Sequence, residues 1–171
     1  ASISRPGMWD RTPVVLSAEQ VSKLTSAPTP RDRSFLRDKA LVRSGHEVLI
    51  VGAAGGIGTL AVQIAKSFGA HVTGVQSTGA LDLVRSIGAD RVIDYTKEDF
   101  TAGEERYDVI IDNVCNRPLA DVLRVLKRNG TLVPNGGGSP DKGISILGLV
   151  RILAMGPFIS QTIKMFVTTP N

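Results

Sequence analysis

The chain has 171 residues, 42% of them apolar and 21% charged, which is typical of one soluble globular domain of ordinary size. A single cysteine, Cys115, excludes an internal disulfide, and with two histidines, His46 and His71, it argues against a zinc site, so no metal and a cytoplasmic location are expected. The net charge of +4 comes from residues 1–45, where eight Lys/Arg are interleaved with four Asp/Glu, and this favours a solvated surface over nucleic-acid binding.

Residues 1–44 are predicted to form a basic, irregular leader with one short helix. Ser17 followed by Gln20 is typical of a capping box that opens the segment LSAEQVSKL. The following TSAPTPRDR is predicted to be a loop, because a residue before proline is pushed out of the helical region. A second short helix is predicted over Phe35–Val42. The apolar runs are too short or too interrupted for a membrane span, so no membrane partner is expected.

From residue 45 to residue 171, short β-branched runs alternate with amphipathic helical patterns. Short apolar runs of this kind are typical of buried parallel strands. The alternation predicts an α/β fold with a doubly wound parallel sheet and right-handed crossovers. The predicted strands are His46–Val51, His71–Val75, Arg91–Ile93, Asp108–Ile111 and Thr131–Val133. The predicted helices are Gly58–Phe68, Leu81–Ile87 with Gly88 as its C-cap, and one with Leu119, Val122, Leu123 and Leu126 on one face that closes at Asn129-Gly130.

The loop after the first predicted strand carries four glycines in VGAAGGIG, residues 51–58. Such a loop allows a tight turn, leaves bare backbone where a pyrophosphate approaches, and lets the helix pack closely on the strand. The helix N-terminus then offers unpaired N–H groups to phosphate. The loop therefore predicts a dinucleotide site in a Rossmann-type domain. Its residues are Gly52, Ala54, Gly55, Gly56, Ile57 and Gly58.

Two other phosphate-binding families are excluded by single positions. A P-loop requires Gly-Lys-Ser/Thr, whereas Gly58 is followed directly by Thr59. A short-chain dehydrogenase would fit the glycine spacing but needs a Tyr-x-x-x-Lys pair. Neither Tyr95 nor Tyr107 has a lysine four residues later.

Four segments follow one another along the chain: VLIVGAAGGIGTLAVQIAKSFGAHVTGVQST, IGADRVIDYTKEDF, YDVIIDNV and NGTLVPNGGG. Together they resemble the medium-chain dehydrogenase/reductase family, in its zinc-independent, quinone-oxidoreductase-like and alcohol-dehydrogenase-like branch. The resemblance implies a domain that holds NADP(H) in an oxidoreductase acting on small carbonyls, enones or quinones. It also implies a GroES-like catalytic domain and a sixth strand, both expected to be missing here, so the Rossmann fold is expected to be incomplete. By the same resemblance, Asn113, Val114, Asn135, Gly136 and Gly137 would lie near the nicotinamide.

The end of the second predicted strand bears on the choice between NADP(H) and NAD(H). It reads Val75-Gln76-Ser77-Thr78 and holds no acid, so a 2′-phosphate would not be repelled there. The resemblance implies that Ser77, Thr78 and Tyr95 contact this end of the cofactor. NADP(H) is therefore favoured over NAD(H), although Gly79-Ala80 stands where a basic side chain would help.

Two hypotheses about function stay open at this point: an NADP(H)-dependent oxidoreductase, and a nucleotide-binding or regulatory interaction module derived from one. No catalytic acid or base is assigned, because hydride chemistry belongs to the cofactor. Ile144–Val167 holds two apolar blocks and a helical stretch. With the sixth strand missing, part of this apolar surface is expected to lack cover, which predicts a homo-oligomer.

Overall fold

The computed structural model describes residues 15–26, 41–135 and 160–164. Six strands lie in this part of the chain: β1 Glu47–Val51, β2 His71–Gln76, β3 Arg91–Asp94, β4 Tyr107–Asp112, β5 Leu126–Pro134 and β6 Thr162–Ile163. Three of them, β1, β2 and β4, consist almost entirely of buried residues.

The six strands form one parallel sheet in the order β3-β2-β1-β4-β5-β6. Val48 in β1 is paired with Val72 on one side and with Val109 on the other. This is the strand order of dinucleotide-binding doubly wound folds. The predicted fold class, a parallel α/β sheet of the Rossmann type, is confirmed.

Helices cover both faces of this sheet. They are α1 Ala18–Ser26, α2 Gly56–Ser67, α3 Leu81–Ser86 and α4 Leu119–Arg124. The core on one face joins β1, β2 and β4 to α2 and α3, and includes Val48, Val62 and Val84. The core on the other face joins the sheet to α4 and includes Leu49 and Val122. No helix in the described ranges is long and apolar enough to cross a bilayer.

The capping box predicted at the start of α1 is confirmed. The backbone N–H of Ser17 donates to Gln20 Oε1 at 2.8 Å, and the N–H of Gln20 donates to Ser17 Oγ at 3.2 Å. The helix lies against α2, where the N–H of Leu16 donates to Gln63 Oε1 at 2.7 Å. Most of the helix predicted over Phe35–Val42 falls outside the described residues, and the division of the chain at residue 44 stays a prediction.

The predicted end of the fourth helix is wrong. The helix stops at Arg124, β5 already begins at Leu126, and Asn129-Gly130 lies inside β5. The reason is pairing with β4: the N–H of Tyr107 donates to Val125 O at 2.9 Å, and Tyr107 pairs with Leu126. These sheet contacts, together with burial of Leu126, outweigh the helical spacing of its side chain.

The expected absence of a sixth strand is also wrong. Thr162–Ile163, placed in a helical stretch by its sequence, forms β6 and pairs in parallel with Thr131 and Leu132 of β5. The N–H of Lys164 donates to Leu132 O at 2.9 Å. Since β6 covers this part of β5, an unpaired β5 edge no longer supports self-association. Residues 144–159 and 165–167 lie outside the described ranges, and a homo-oligomer stays a prediction.

Candidate functional site

A crevice of about 550 Å³ opens at the carboxyl ends of the strands, where the strand order reverses between β1 and β4. Ligands of open α/β sheets bind at this kind of topological switch point. The β1–β4 crevice, as we call it, is lined by Val51, Gly52, Gly55, Gly56, Ile57, Gly58, Val75, Gln76, Tyr95, Phe100, Asn113, Val114, Asn116 and Arg117.

The floor of the β1–β4 crevice is the glycine loop between β1 and α2. Gly52 has a φ of +76°, a conformation that side chains disfavour, and its N–H donates to Val75 O at 3.0 Å. At Gly58, an added Cβ would lie 2.1 Å from Gly52 O and 2.8 Å from the Cα of Ala53. Glycine at position 58 therefore allows the first turn of α2 to pack against the end of β1.

Gly56 faces open space instead. A Cβ added there would meet nothing within 4 Å, and both Gly56 and Ile57 are exposed. Gly56 is also the first residue of α2, so the N–H groups of this turn have no partner four residues earlier within the helix. The first turn carries no acidic residue. The floor is thus open and electropositive, which suits an anionic group.

The wall after β4 is held by two asparagines. The side-chain amide of Asn113 donates to Val51 O at 3.0 Å, and Asn113 Oδ1 accepts from Asn135 Nδ2 at 3.1 Å. Asn135 is fixed in turn, because its N–H donates to Asp112 O at 2.8 Å. The structure thus brings both predicted asparagines together, although Asn113 lines the crevice and Asn135 contacts it without being a lining residue. Gly136 and Gly137 lie outside the described residues.

The wall near the end of β2 differs from the expectation in part. Tyr95 lines the crevice, whereas Ser77 and Thr78 lie beside it. The exposed Thr78 donates its hydroxyl to the buried carboxylate of Asp94. Hydrogen bonds from the hydroxyls of Thr78 and Thr96 hold the pKa of Asp94 down at about 2. The carboxylate is therefore ionised at neutral pH.

Residue Cys115 follows Asn113 and Val114 in a strained turn. Its φ of +53° lies in the left-handed region, which favours glycine over a residue with a side chain. The carboxylate of Asp112 holds the turn by accepting from the N–H groups of Val114 at 3.0 Å and Cys115 at 2.8 Å. The buried thiol donates to Asp112 O at 3.4 Å and adds a further contact within this turn.

Three exposed apolar side chains stand around the mouth of the crevice. Ile57 is 47% exposed, Tyr95 48% and Val114 41%. All three line the crevice itself. An apolar rim of this kind is typical of a surface covered by a ligand or a partner domain.

Comparison with known proteins identifies the family. A sequence profile described as zinc-binding dehydrogenase matches residues 56–168. The chain belongs to the zinc-binding dehydrogenase family. The resemblance to medium-chain dehydrogenases and reductases is thereby confirmed.

Relatives within this family are oxidoreductases. The chain is 44% identical over 98 residues to 2-methylene-furan-3-one reductase of Solanum lycopersicum, a match that covers 56% of this chain and 25% of that protein. It is 40% identical over 104 residues to the chloroplastic NADPH-dependent alkenal/one oxidoreductase of Arabidopsis thaliana, covering 56% and 26%. The chain thus matches about a quarter of the length of these curated relatives.

A solved structure supports the fold of this family member independently. The quinone oxidoreductase from Coxiella burnetii superposes with a TM-score of 0.61 at 23% identity, covering 92% of this chain and 44% of that chain. At this identity the likeness concerns the fold alone.

The family description includes zinc, so the metal ligands of this member are of interest. Within residues 15–26, 41–135 and 160–164, no three His, Cys, Asp or Glu side chains come together in a way that could hold a metal ion. The expected absence of a metal stays a prediction.

Sequence reasoning missed several lining residues of this family member, above all Phe100 and Arg117. The Arg117 guanidinium lies 6.0 Å from the centroid of the Phe100 ring and 3.6 Å from Asp99 Oδ1. Phe100 lies in the loop after β3, and every such loop ends at the same edge of a parallel sheet, so its position was a usable signal. Arg117 lies in the loop after β4, so the same signal could have placed it at this edge of the sheet.

Proposed function

We propose that the chain is the cofactor-binding part of an NADP(H)-dependent oxidoreductase that acts on small enones, quinones or other carbonyl compounds. The β1–β4 crevice carries this proposal, because it joins an open helix N-terminus to the switch point of a parallel sheet. The bound cofactor would supply the hydride chemistry. The residues of this chain would bind it, orient it and keep it in place.

The glycine loop is the part that would receive the pyrophosphate. The residues assigned to it are Gly52, Ala54, Gly55, Gly56, Ile57 and Gly58, of which all except Ala54 line the crevice. Ala54 is not a lining residue, and its N–H donates to Oε1 of Gln76, which lines the crevice, at 3.4 Å. The free space in front of Gly56 fits the close approach of a phosphate to bare backbone.

The two ends of the cofactor would contact opposite walls. Tyr95, Ser77 and Thr78 would contact the adenosine end. Since β2 ends without an acid of its own, no carboxylate of that strand would repel a 2′-phosphate there. Asn113 and Val114 would face the nicotinamide end, with Asn135 behind them and Gly136 and Gly137 following. The two hydrogen bonds that hold the side chain of Asn113 would keep this wall in a fixed geometry.

Calorimetric titration of the folded chain with NADPH and with NADH tests the proposal. Binding of NADPH in the micromolar range, stronger than that of NADH, is the expected result. A folded sample that binds neither nucleotide at millimolar concentration contradicts the site assignment. Stronger binding of NADH than of NADPH contradicts the preference while leaving the site in place.

A second candidate is a nucleotide-binding module without turnover of its own. It is motivated by the match to only about a quarter of the length of the curated relatives, which leaves the rest of those proteins without a counterpart in the match. Following NADPH absorbance with enones, quinones and aldehydes separates the two candidates. Steady consumption of NADPH by this chain alone would contradict the second one. A cytoplasmic location is proposed from the single cysteine and has no bearing on this choice.

A further inference from the structure

Four side chains form a cluster between the ends of β2 and β3, beside the β1–β4 crevice. At its centre the carboxylate of Asp94 accepts hydrogen bonds from Thr78 Oγ1 at one oxygen and from Thr96 Oγ1 at the other, the latter at 2.7 Å. The two hydroxyl oxygens are 3.2 Å apart. Lys97 completes the cluster, and we call these four residues the Asp94 cluster.

The ammonium group of Lys97 lies over this buried carboxylate. Its Nζ is 3.5 Å from Asp94 Oδ2, the same oxygen that accepts from Thr78. The Asp94 side chain is 7% exposed and that of Lys97 is 68% exposed, so the ammonium faces solvent. Its contact with Asp94 uses one side of the ammonium and leaves donors directed outward.

The position of Thr78 relates the Asp94 cluster to the adenosine end of a bound dinucleotide. In dinucleotide-binding folds, a residue about 20 positions after the glycine motif, at the end of the second strand, contacts the adenosine ribose. Thr78 occupies this position relative to Gly58 and lies two residues after the end of β2. Gly79 and Ala80 leave the same loop without a cation.

We propose that Lys97 selects NADP(H), by placing its ammonium group beside Thr78 where the 2′-phosphate of the adenosine ribose would lie. This inference rests on the proposed function and names the residue that sets its cofactor preference. Lys97 comes from the loop after β3 and supplies the cation that Gly79 and Ala80 lack. It also neutralises Asp94, whose carboxylate would otherwise repel a phosphate at this position.

The crevice lining itself contains a cation, Arg117, which is placed less well for this role than Lys97 beside the crevice. Its guanidinium lies by the ring of Phe100 and the carboxylate of Asp99, and its side chain is 31% exposed. Neither contact involves the Asp94 cluster. Arg91 is paired with Glu105 and is the first residue of β3, so it lies at the amino edge of the sheet, opposite the edge where the crevice opens. The geometry therefore favours Lys97.

The test is calorimetric titration of the full chain and three variants with NADP⁺ and with NAD⁺. Lys97→Met should weaken NADP⁺ binding about tenfold, the effect of losing one charge-assisted hydrogen bond, and leave NAD⁺ binding within about twofold. Lys97→Arg should retain most of the preference. Lys127→Met is the matched control, because Lys127 also pairs with an aspartate, Asp108 at 2.8 Å, away from the crevice.

The salt dependence of NADP⁺ affinity separates a direct role of Lys97 in binding the phosphate from a purely structural role, which would not change it. NADP⁺ binding to the native chain should weaken with added salt more steeply than binding to Lys97→Met, since the variant has lost the screened ion pair. An equal loss of affinity for both nucleotides in Lys97→Met, or no loss for NADP⁺, overturns the role of Lys97 while the crevice keeps its function. A native chain that binds neither nucleotide contradicts the proposed function itself, and the inference with it.

Discussion

Gly58 and Gly52 lie so close together that the carbonyl oxygen of Gly52 occupies the space of any side chain at position 58. An added Cβ at Gly58 would be 2.1 Å from this oxygen, well inside contact distance. The two residues lie on opposite sides of the loop that leads from β1 into α2. Their contact fixes where the helix starts, and so where its free N–H groups are directed.

Replacing Gly58 by alanine should therefore destabilise the fold. The methyl group would displace backbone that cannot move without shifting α2, and overpacking of this kind costs about 1–3 kcal/mol. Urea denaturation followed by circular dichroism measures the change in the free energy of unfolding. A Gly58→Ala variant as stable as the native chain would show that the loop has room that the structure does not.

Gly56→Ala should keep the stability of the fold and weaken the binding of NADPH. Nothing lies within 4 Å of a Cβ at this position, and alanine suits a helix better than glycine, so stability should hold or rise by up to about 1 kcal/mol. Binding of NADPH should weaken at least about tenfold, because the methyl group would stand where the pyrophosphate approaches. Urea denaturation measures the stability of this variant, and calorimetric titration of the same samples measures its affinity for NADPH. Unchanged binding in a folded Gly56→Ala variant would place the pyrophosphate elsewhere.

The carboxylate of Asp94 should make stability depend on pH in the acid range. Hydrogen bonds from Thr78 and Thr96 depress its pKa from 3.8 to about 2. A depressed folded-state pKa stabilises the chain above the unfolded value, and this stabilisation is lost as the pH falls from about 4 through about 2. Urea unfolding at stepped pH should therefore show a decline over this window.

Asp94→Asn should lower stability at neutral pH and flatten the decline between about pH 4 and pH 2, because the titrating group is gone. Asp82→Asn is the control, since Asp82 lies on the exposed face of α3 and its side chain is fully exposed. The control should follow the native curve. An Asp94→Asn curve parallel to the native one would assign the acid sensitivity to other carboxylates.

Much of this fold could be predicted from local sequence signals. The two errors in the prediction, the end of α4 and the absence of a sixth strand, have a common cause. The strands around Val48 and Val109 and the helix after Gly56 depend on short-range periodicity and glycine placement. The start of β5 at Leu126 depends on pairing with Tyr107, a contact between distant segments. The two-residue strand β6 is too short for any periodicity to reveal.

The candidate site also has one part that local sequence signals predict and other parts that depend on contacts between distant segments. The glycine loop was predictable because one continuous segment contains the turn, the helix start and the close contact. Phe100 and Arg117 reach the β1–β4 crevice from separate loops. The hydrogen bond from Thr78 to Asp94 joins two strand ends, so the sequence, which showed no acid at the end of β2, could not show the acid beside it.

The edge of the sheet at β6 leads to a last prediction, on self-association. The N–H of Lys164 donates to Leu132 O at 2.9 Å and extends the pairing of Thr162 and Ile163 with β5. Lys164→Pro removes this donor, which should lower the free energy of unfolding by about 1 kcal/mol and loosen β6 from β5. Sedimentation velocity at micromolar concentration should then show more dimer or larger species than the native chain, because an uncovered strand edge promotes association. Lys164→Ala keeps the N–H and should sediment like the native chain. Equal sedimentation of the proline variant and the native chain would mean that β6 does not limit association, and that any dimer forms through another surface.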